Sequence, residues 1–261
     1  MSGIRPPAVA GMFYTANPAQ LHNEIQSMLS SVETAESSPK AVIVPHAGYI
    51  YSGPVAASAF AQLESACDKI KRVIVLGPCH RVALSGLATS SADYFETPLG
   101  RIKLDREAID SIANMPQVQE FDLTHQQEHS LEVQLPFLQE VLSDFTLVPL
   151  VVGDASAQQV SEVIEALWGG DETLIVISSD LSHYHDYHTA QVMDSTTCKA
   201  IENLDADAIH YEMACGRNPV TGLLLAAKHH GLKATTLDLR NSGDTAGDKS
   251  RVVGYGAWSF S

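Results

Sequence analysis

Over 261 residues the chain carries 31 Asp and Glu against 16 Lys and Arg, a formal net charge of -15 at pH 7. That balance opposes binding to nucleic acid or to an anionic membrane surface through bulk electrostatics, while the length and 45% hydrophobic content suit one large α/β domain. No run reaches the roughly 18 apolar residues of a membrane span, the opening MSGIRPPAVAGMFY lacks the apolar core of a secretory signal, and no cysteine pair has C-x-x-C spacing, so a cytoplasmic location and reduced thiols are expected.

In chain order, residues 5–14, with paired prolines and Gly11, read as an extended lead-in, and 18–31 as a helix capped by Asn17. A solvated loop over 32–40 precedes AVIVPHAGYIYSG at 41–53, where four apolar residues run into a proline and His46, the pattern of a central strand in a parallel sheet. PVAASAFAQLE then places Pro54 in the first turn of a helix, giving the βα order. KRVIVLGPCH at 71–80 repeats the pattern and delivers His80. A strand at 84–90 is followed by DYFETPLGRIKLD, a hairpin through Pro98, Leu99 and Gly100 that makes the sheet mixed.

Helices over 105–115 and 129–142, the second entered from THQQEHS, lead to a strand at 145–152, a helix at 155–168 and a strand at 173–178. LIVISSDLSH at 174–183 is the third copy of the strand-end pattern, with Asp180 and His183. Residues 187–230 read as helical, with breaks near Leu204 and over 216–219, and β-rich runs at 234–239 and 252–260 close the chain. The expected fold is a single α/β domain over 1–261, with a central mixed, largely parallel sheet flanked by helices.

Open α/β sheets bind ligands beyond the carboxyl ends of their strands, where all three motifs put their polar residues. His46 and His80 suit metal ligation, imidazole being the commonest ligand for Fe, Zn and Cu, and equally suit hydrogen bonds to loop carbonyls. In SSDLSHYHDYH, Asp180 or Ser182 is expected to cap the next turn; His183 is the candidate ligand or general base and acid, and His185 and His188 are solvated. In EHSLEVQLPF, helical spacing puts Glu128 and Glu132 on one face, either as part of a capping turn or with His129 reaching the pocket beside an orienting glutamate.

Cys215, in ACGRNPVTGLL, reads either as a packed thiol or as one whose pKa is lowered by a helix amino terminus and Arg217, ready as nucleophile or metal ligand. Cys79 is a second thiol at the site edge, while Cys67 and Cys198 belong to the core or a helix surface. G-x-S-x-G, Walker and G-x-G-x-x-G patterns are missing from the sequence, which disfavours serine-hydrolase and nucleotide chemistry.

Taken in order, PHAGYIYSGPVAA, GPCH, EHSLEVQLPF, SSDLSHY, ACGRNPVTGLL and the closing NSGDT and VVGYGAW resemble the Memo family, of the AmmeMemoRadiSam system protein B type. The resemblance implies a fold similar to class III extradiol dioxygenases, non-haem iron enzymes that open catechol rings. Carried over by motif, His46, His80 and Cys215 match the family's metal positions, and Asp180 and His183 match pocket residues beside them. The dioxygenases hold Fe(II) with two histidines and a carboxylate, so the resemblance implies Fe(II) first; here a softer, oxidisable thiolate takes the third place, which admits Cu or Zn as well.

The implied activity is that of an iron-dependent oxidoreductase on a small aromatic or related substrate, with His183 moving the proton and Asp180 or His129 setting its orientation. Two other readings stay open: a non-catalytic protein that binds a (phospho)peptide or other ligand in the former cleft, and a zinc hydrolase. The resemblance also implies a functional link with radical SAM and AMMECR-type proteins.

Overall fold

In the computed structural model, which describes residues 3–35 and 38–261, the long apolar runs lie side by side in one nine-stranded mixed sheet. After β1 (Ile4–Arg5), Asn17 caps α1 (Pro18–Leu29) by accepting from the Gln20 N–H at 3.0 Å. Next come β2 (Ala41–Val44), α2 (Tyr49–Phe60), β3 (Arg72–Pro78), β4 (Leu87–Thr89), β5 (Tyr94–Thr97), β6 (Gly100–Lys103) and α3 (Arg106–Ile112). They are followed by β7 (Val118–Glu120), α4 (Asp122–Gln126), α5 (Leu135–Val141), β8 (Thr146–Val152), α6 (Ala157–Ala166) and β9 (Thr173–Ser178). The last stretch holds β10 (His183–His185), α7 (Tyr187–Glu202), α8 (Arg217–His229), β11 (Ala234–Asn241) and β12 (Val252–Phe260). Glu36 and Ser37, in the loop expected over 32–40, lie outside the described residues.

The strand order is β10-β12-β2-β9-β3-β8-β4-β7, with β11 paired to β12. β2, β9, β3 and β8 are parallel neighbours, and β12 and β4 join them antiparallel on either side. Because β9 slots between β2 and β3, with Val44 opposite Ser178 and Leu76 opposite Ile177, the carboxyl ends of three strands share one edge. Every residue of β2 and β9 is buried, which requires cover on both faces. α2 packs on β2 and β12 together with α1 and α5, while α8 lies on β3 and β9 beside α6. A Cβ on Gly222 would stand 2.4 Å from Val160 Cγ1, so α8 approaches α6 as closely as it does because that residue is glycine.

Three expected elements are corrected. α2 starts at Tyr49, so Pro54 lies inside the helix rather than in its first turn. The bond it cannot make falls at exposed Ile50, where water can reach the chain, and Gly53 before it has no Cβ to meet the proline ring. The hairpin β5–β6 forms a separate three-stranded sheet with β1; the main sheet owes its mixed character to β4, β10, β11 and β12. The helix expected from His129 begins as a short 3-10 turn at Glu132 and becomes α-helical only at Leu135. Among the described residues no helix is long and apolar enough to cross a membrane.

Candidate functional site

β2, β3 and β9 each place one polar residue two positions beyond the strand end: His46, His80 and Asp180. The β2 and β9 turns are tied together, with the His46 N–H donating to Asp180 Oδ1 at 2.7 Å and the Ser179 N–H to the Val44 carbonyl at 2.9 Å. Cys215 arrives from ahead of α8: its N–H donates to the Asp180 carbonyl at 3.2 Å, and the Gly216 N–H donates to Ser179 Oγ at 2.9 Å. A Cβ on Gly216 would stand 2.7 Å from the Ser178 carbonyl oxygen, so a side chain there would push Cys215 off the strand edge.

The hydrogen bonds fix the tautomers of the two strand-end imidazoles. Ser178 Oγ donates to the Ser130 carbonyl at 2.6 Å and accepts from Gln134 Nε2 at 2.8 Å, so it is an acceptor for His46 Nδ1, 2.9 Å away. His46 Nε2 therefore keeps its lone pair, and it lies 3.2 Å from Cys215 Sγ. Burial first, and then the neighbouring His80, His129 and His183, hold the His46 pKa well below its ordinary value, so the ring is neutral. His80 donates from Nδ1 to Glu128 Oε1 at 2.8 Å and from its backbone to Oε2 at 2.7 Å, which again leaves the lone pair on Nε2. Burial would raise the Glu128 carboxyl, yet the hydrogen bonds it accepts from the His80 ring and backbone and from the Ser130 N–H hold it down at about 2.

Ligand atoms of His46, His80 and Cys215 lie within 4.8 Å of one another. Ligands on a four-coordinate ion with bonds of about 2.0–2.3 Å stand roughly 3.5 Å apart, so small side-chain rotations bring this set to an ion. With each histidine pinned on Nδ1 by a carboxylate or hydroxyl, the donor set fits a metal in both atom type and orientation.

These residues line a cavity of about 1080 Å³ that also takes in His129, Asp180 and His183. His129 stacks on His80 with ring centroids 4.7 Å apart and meets His46 edge-on at 5.4 Å. Its buried Nδ1 sits 3.3 Å from Glu128 Oε1, out of line for a hydrogen bond, and burial lowers its pKa to about 4. Asp180, also buried, is pushed above the ordinary carboxyl range by that burial, against the pull of the His46 N–H. His183 donates from Nδ1 to the Leu181 carbonyl at 2.8 Å, so its Nε2 is the nitrogen left for chemistry.

Several local expectations fall to tertiary contacts. α7 is capped by Asp186, which accepts from His188 and Thr189 N–H groups, and neither Asp180 nor Ser182 caps it because residues 183–185 pair with β12 first. The Leu181 carbonyl, rather than Asp180 or His129, orients His183. Glu128 and Glu132 do not share a helical face, since Glu128 lies ahead of the 3-10 turn. The Cys215 thiol is pushed well up, by burial and by the Asp180 carboxylate, and not lowered; Arg217 donates to Asn218 Oδ1 instead. His188 is exposed, whereas His185 is half-buried and lines the cavity. Cys79 lines the cavity too, donating to the Val82 carbonyl, and Cys198 is buried.

Sequence reasoning missed Ser178 and Gln134 as the pair that orients His46; the only signal was a serine closing an apolar strand. It also missed Tyr184 and Tyr211, exposed aromatics of the cavity lining, of which Tyr184 holds a left-handed φ of 62°.

A solved structure described as the uncharacterised protein JW3007 from Escherichia coli K12 shares this fold with a TM-score of 0.52 at 13% identity, over 82% of this chain and 98% of that one. At the level of sequence, the MEMO1 family protein of Aquifex aeolicus is 36% identical over 97% of both chains, and that of Ignicoccus hospitalis 38% identical over 98% of both. The MEMO1 family protein of Methanosarcina mazei is 36% identical, over 97% of this chain and 98% of its own. A family model described as Memo-like protein matches residues 5–259, a span that takes in all three strand-end motifs and Cys215, and this chain belongs to the Memo family.

Proposed function

We propose that the chain is a metal-dependent oxidoreductase in which His46, His80 and Cys215 hold the ion and His183 moves the proton. The observation that carries this reading is the pair of imidazoles that keep Nε2 bare, each locked on Nδ1, with the thiol 3.2 Å from one of them at the wall of a 1080 Å³ cavity. The likeness to extradiol dioxygenases puts Fe(II) first, and the soft thiolate beside two imidazoles admits Cu and Zn as competitors. Bound there, Fe(II) would supply Lewis acidity and one-electron exchange with O₂.

The chain's own residues do the rest. His183 can accept or release a proton only at Nε2, because Nδ1 is committed to Leu181. His129, stacked on His80 and backed by Phe13 at 4.7 Å, keeps water from that side of the ring. Tyr184 and Tyr211 offer ring faces to a small planar substrate in the cavity.

Protein purified and reconstituted with Fe(II) without oxygen is expected to hold one iron per chain, lost in each of His46→Ala, His80→Ala and Cys215→Ala. His183→Ala is expected to keep iron while losing single-turnover oxygen consumption. No iron in the parent after reconstitution would sink the enzyme reading, and intact turnover in His183→Ala would remove that residue's role.

One observation favours the ligand-capture alternative: the lining tyrosines are 65% and 81% exposed, an apolar welcome for a peptide side chain. In that case His80→Ala changes partner capture and no redox turnover exists to lose.

A further inference from the structure

α6 and α8 run side by side, Val160 against Gly222, and both end at the sheet edge remote from the cavity. Trp168, just past α6, has its carbonyl bonded by Lys40 Nζ at 2.6 Å, immediately ahead of β2, whereas the cavity lies past the other ends of β2 and β9. A strand of this length separates the two places by about 20 Å.

At this remote edge Glu165 meets two adjacent imidazoles. His229 Nδ1 lies 2.8 Å from Oε1 and His230 Nε2 lies 2.8 Å from Oε2, with ligand atoms of all three within 4.8 Å of one another. We propose that Glu165, His229 and His230 form a second, peripheral site for a divalent cation of the Zn(II), Ni(II), Cu(II) class. N···O separations of this size are close to the roughly 3.0 Å edge between neighbouring ligands in a square or octahedral centre with bonds of about 2.1 Å. Without the ion those nitrogens donate to the Glu165 carboxylate; an ion would take the place of both hydrogen bonds, each imidazole proton exchanging through solvent to the other ring nitrogen.

Two further features build the site. His230 is stacked face to face on Trp168, with centroids 3.8 Å apart and planes 3° from parallel, so its ring is already held in the orientation it needs. Glu165 lies in the last turn of α6 and His229 closes α8, so two helix carboxyl ends, each worth about half a negative charge, converge on the same point and favour a cation. The three side chains are also open to solvent at 29%, 74% and 31%, which leaves the remaining coordination positions to water.

The test uses the untagged full-length protein, dialysed against buffered Zn(II) and analysed for bound zinc, with Cu(II) as an EPR probe. The parent is expected to lose one equivalent of zinc, or to bind it at least tenfold more weakly, in His229→Ala/His230→Ala and in Glu165→Gln. Cys215→Ser is expected to keep that equivalent, so the peripheral site is read separately from the cavity whatever the cavity binds. Cu(II) at the site should show nitrogen hyperfine coupling that disappears in the double variant. Equal zinc stoichiometry and affinity in the parent and the double variant would overturn the proposal, as would a parent whose every equivalent is lost in Cys215→Ser. Matching unfolding midpoints of the metal-free parent and variants exclude loss of fold as the cause.

Discussion

Glu128 and Glu132 lie four residues apart, both almost wholly buried, and their carboxylates serve different parts of the molecule. Glu132 accepts from the Arg5 guanidinium, from the Ala8 and Val9 N–H groups at 2.8 and 3.0 Å, and from the Tyr14 hydroxyl at 2.7 Å. It thereby pins the lead-in of the chain to the segment that becomes α5. Glu128 accepts from the ring and backbone of His80 and from the backbone of His129 and Ser130, while Arg5 reaches only its main-chain carbonyl, at 2.7 Å. A carboxylate answered by a guanidinium inside the wall acts as a fixed joint. One answered by an imidazole at a cavity passes its charge on to whatever that imidazole holds.

The largest effect expected is at the joint. Glu132→Ala leaves Arg5 buried without its counter-charge and should cost about 3–5 kcal/mol in urea unfolding, with metal per folded molecule unchanged. A loss below about 1 kcal/mol would break the contrast.

The same wall supplies a pH signature. His125 donates from Nε2 to the Ala88 carbonyl, its own carbonyl accepts from Arg5, and burial pushes its pKa from 6.5 to about 4. Between those values the unfolded chain binds the extra proton, so the stability it confers is complete above pH 6.5 and is lost as pH falls through about 4, amounting to about 3 kcal/mol. Unfolding free energies from pH 7 to 4 should therefore fall less steeply in His125→Gln; identical slopes would refute the assignment.

On the cavity side, Glu128→Gln replaces an acceptor by an amide N–H facing donors, and tenfold or weaker metal binding is expected, about 1.4–3 kcal/mol, with a smaller stability loss than Glu132→Ala. Calorimetric metal titration beside urea unfolding decides whether the two glutamates separate in this way. The smallest effect is a gain: Tyr184→Gly relieves a left-handed backbone at an exposed residue and should raise stability by up to about 1 kcal/mol. Reduced stability would mean that the ring, with Arg251 5.1 Å from its centroid, contributes more than its backbone costs.

What could be read in the sequence was whatever a short window determines. AVIV, VIVL and TLIVIS are buried strands wherever they fall in an α/β chain, so their ends, and with them His46, His80 and Asp180, could be placed on one edge. Where the outcome depended on distant chain, local rules failed. Cys215 stands at a helix amino terminus, yet burial, and after it Asp180, brought in by β9, push its thiol up. Asp180 looked like a cap until β12 claimed the residues after it, and Ser178 carries no local mark of orienting a ring 132 positions away.

His46 and Cys215 touch across 169 residues, and β9 must enter between β2 and β3 before the strand ends line up. Contacts of such long range close late, after local helices and hairpins have formed. During synthesis the ribosome must release the chain beyond Cys215, with α8 free to dock on β3 and β9, before His46, His80 and Cys215 come together. Assembly of this corner is thus a step that follows translation of most of the polypeptide, and a nascent chain truncated before α8 should leave β3 and β9 uncovered on one face, β2 without its β12 neighbour, and Cys215 without the helix that seats it.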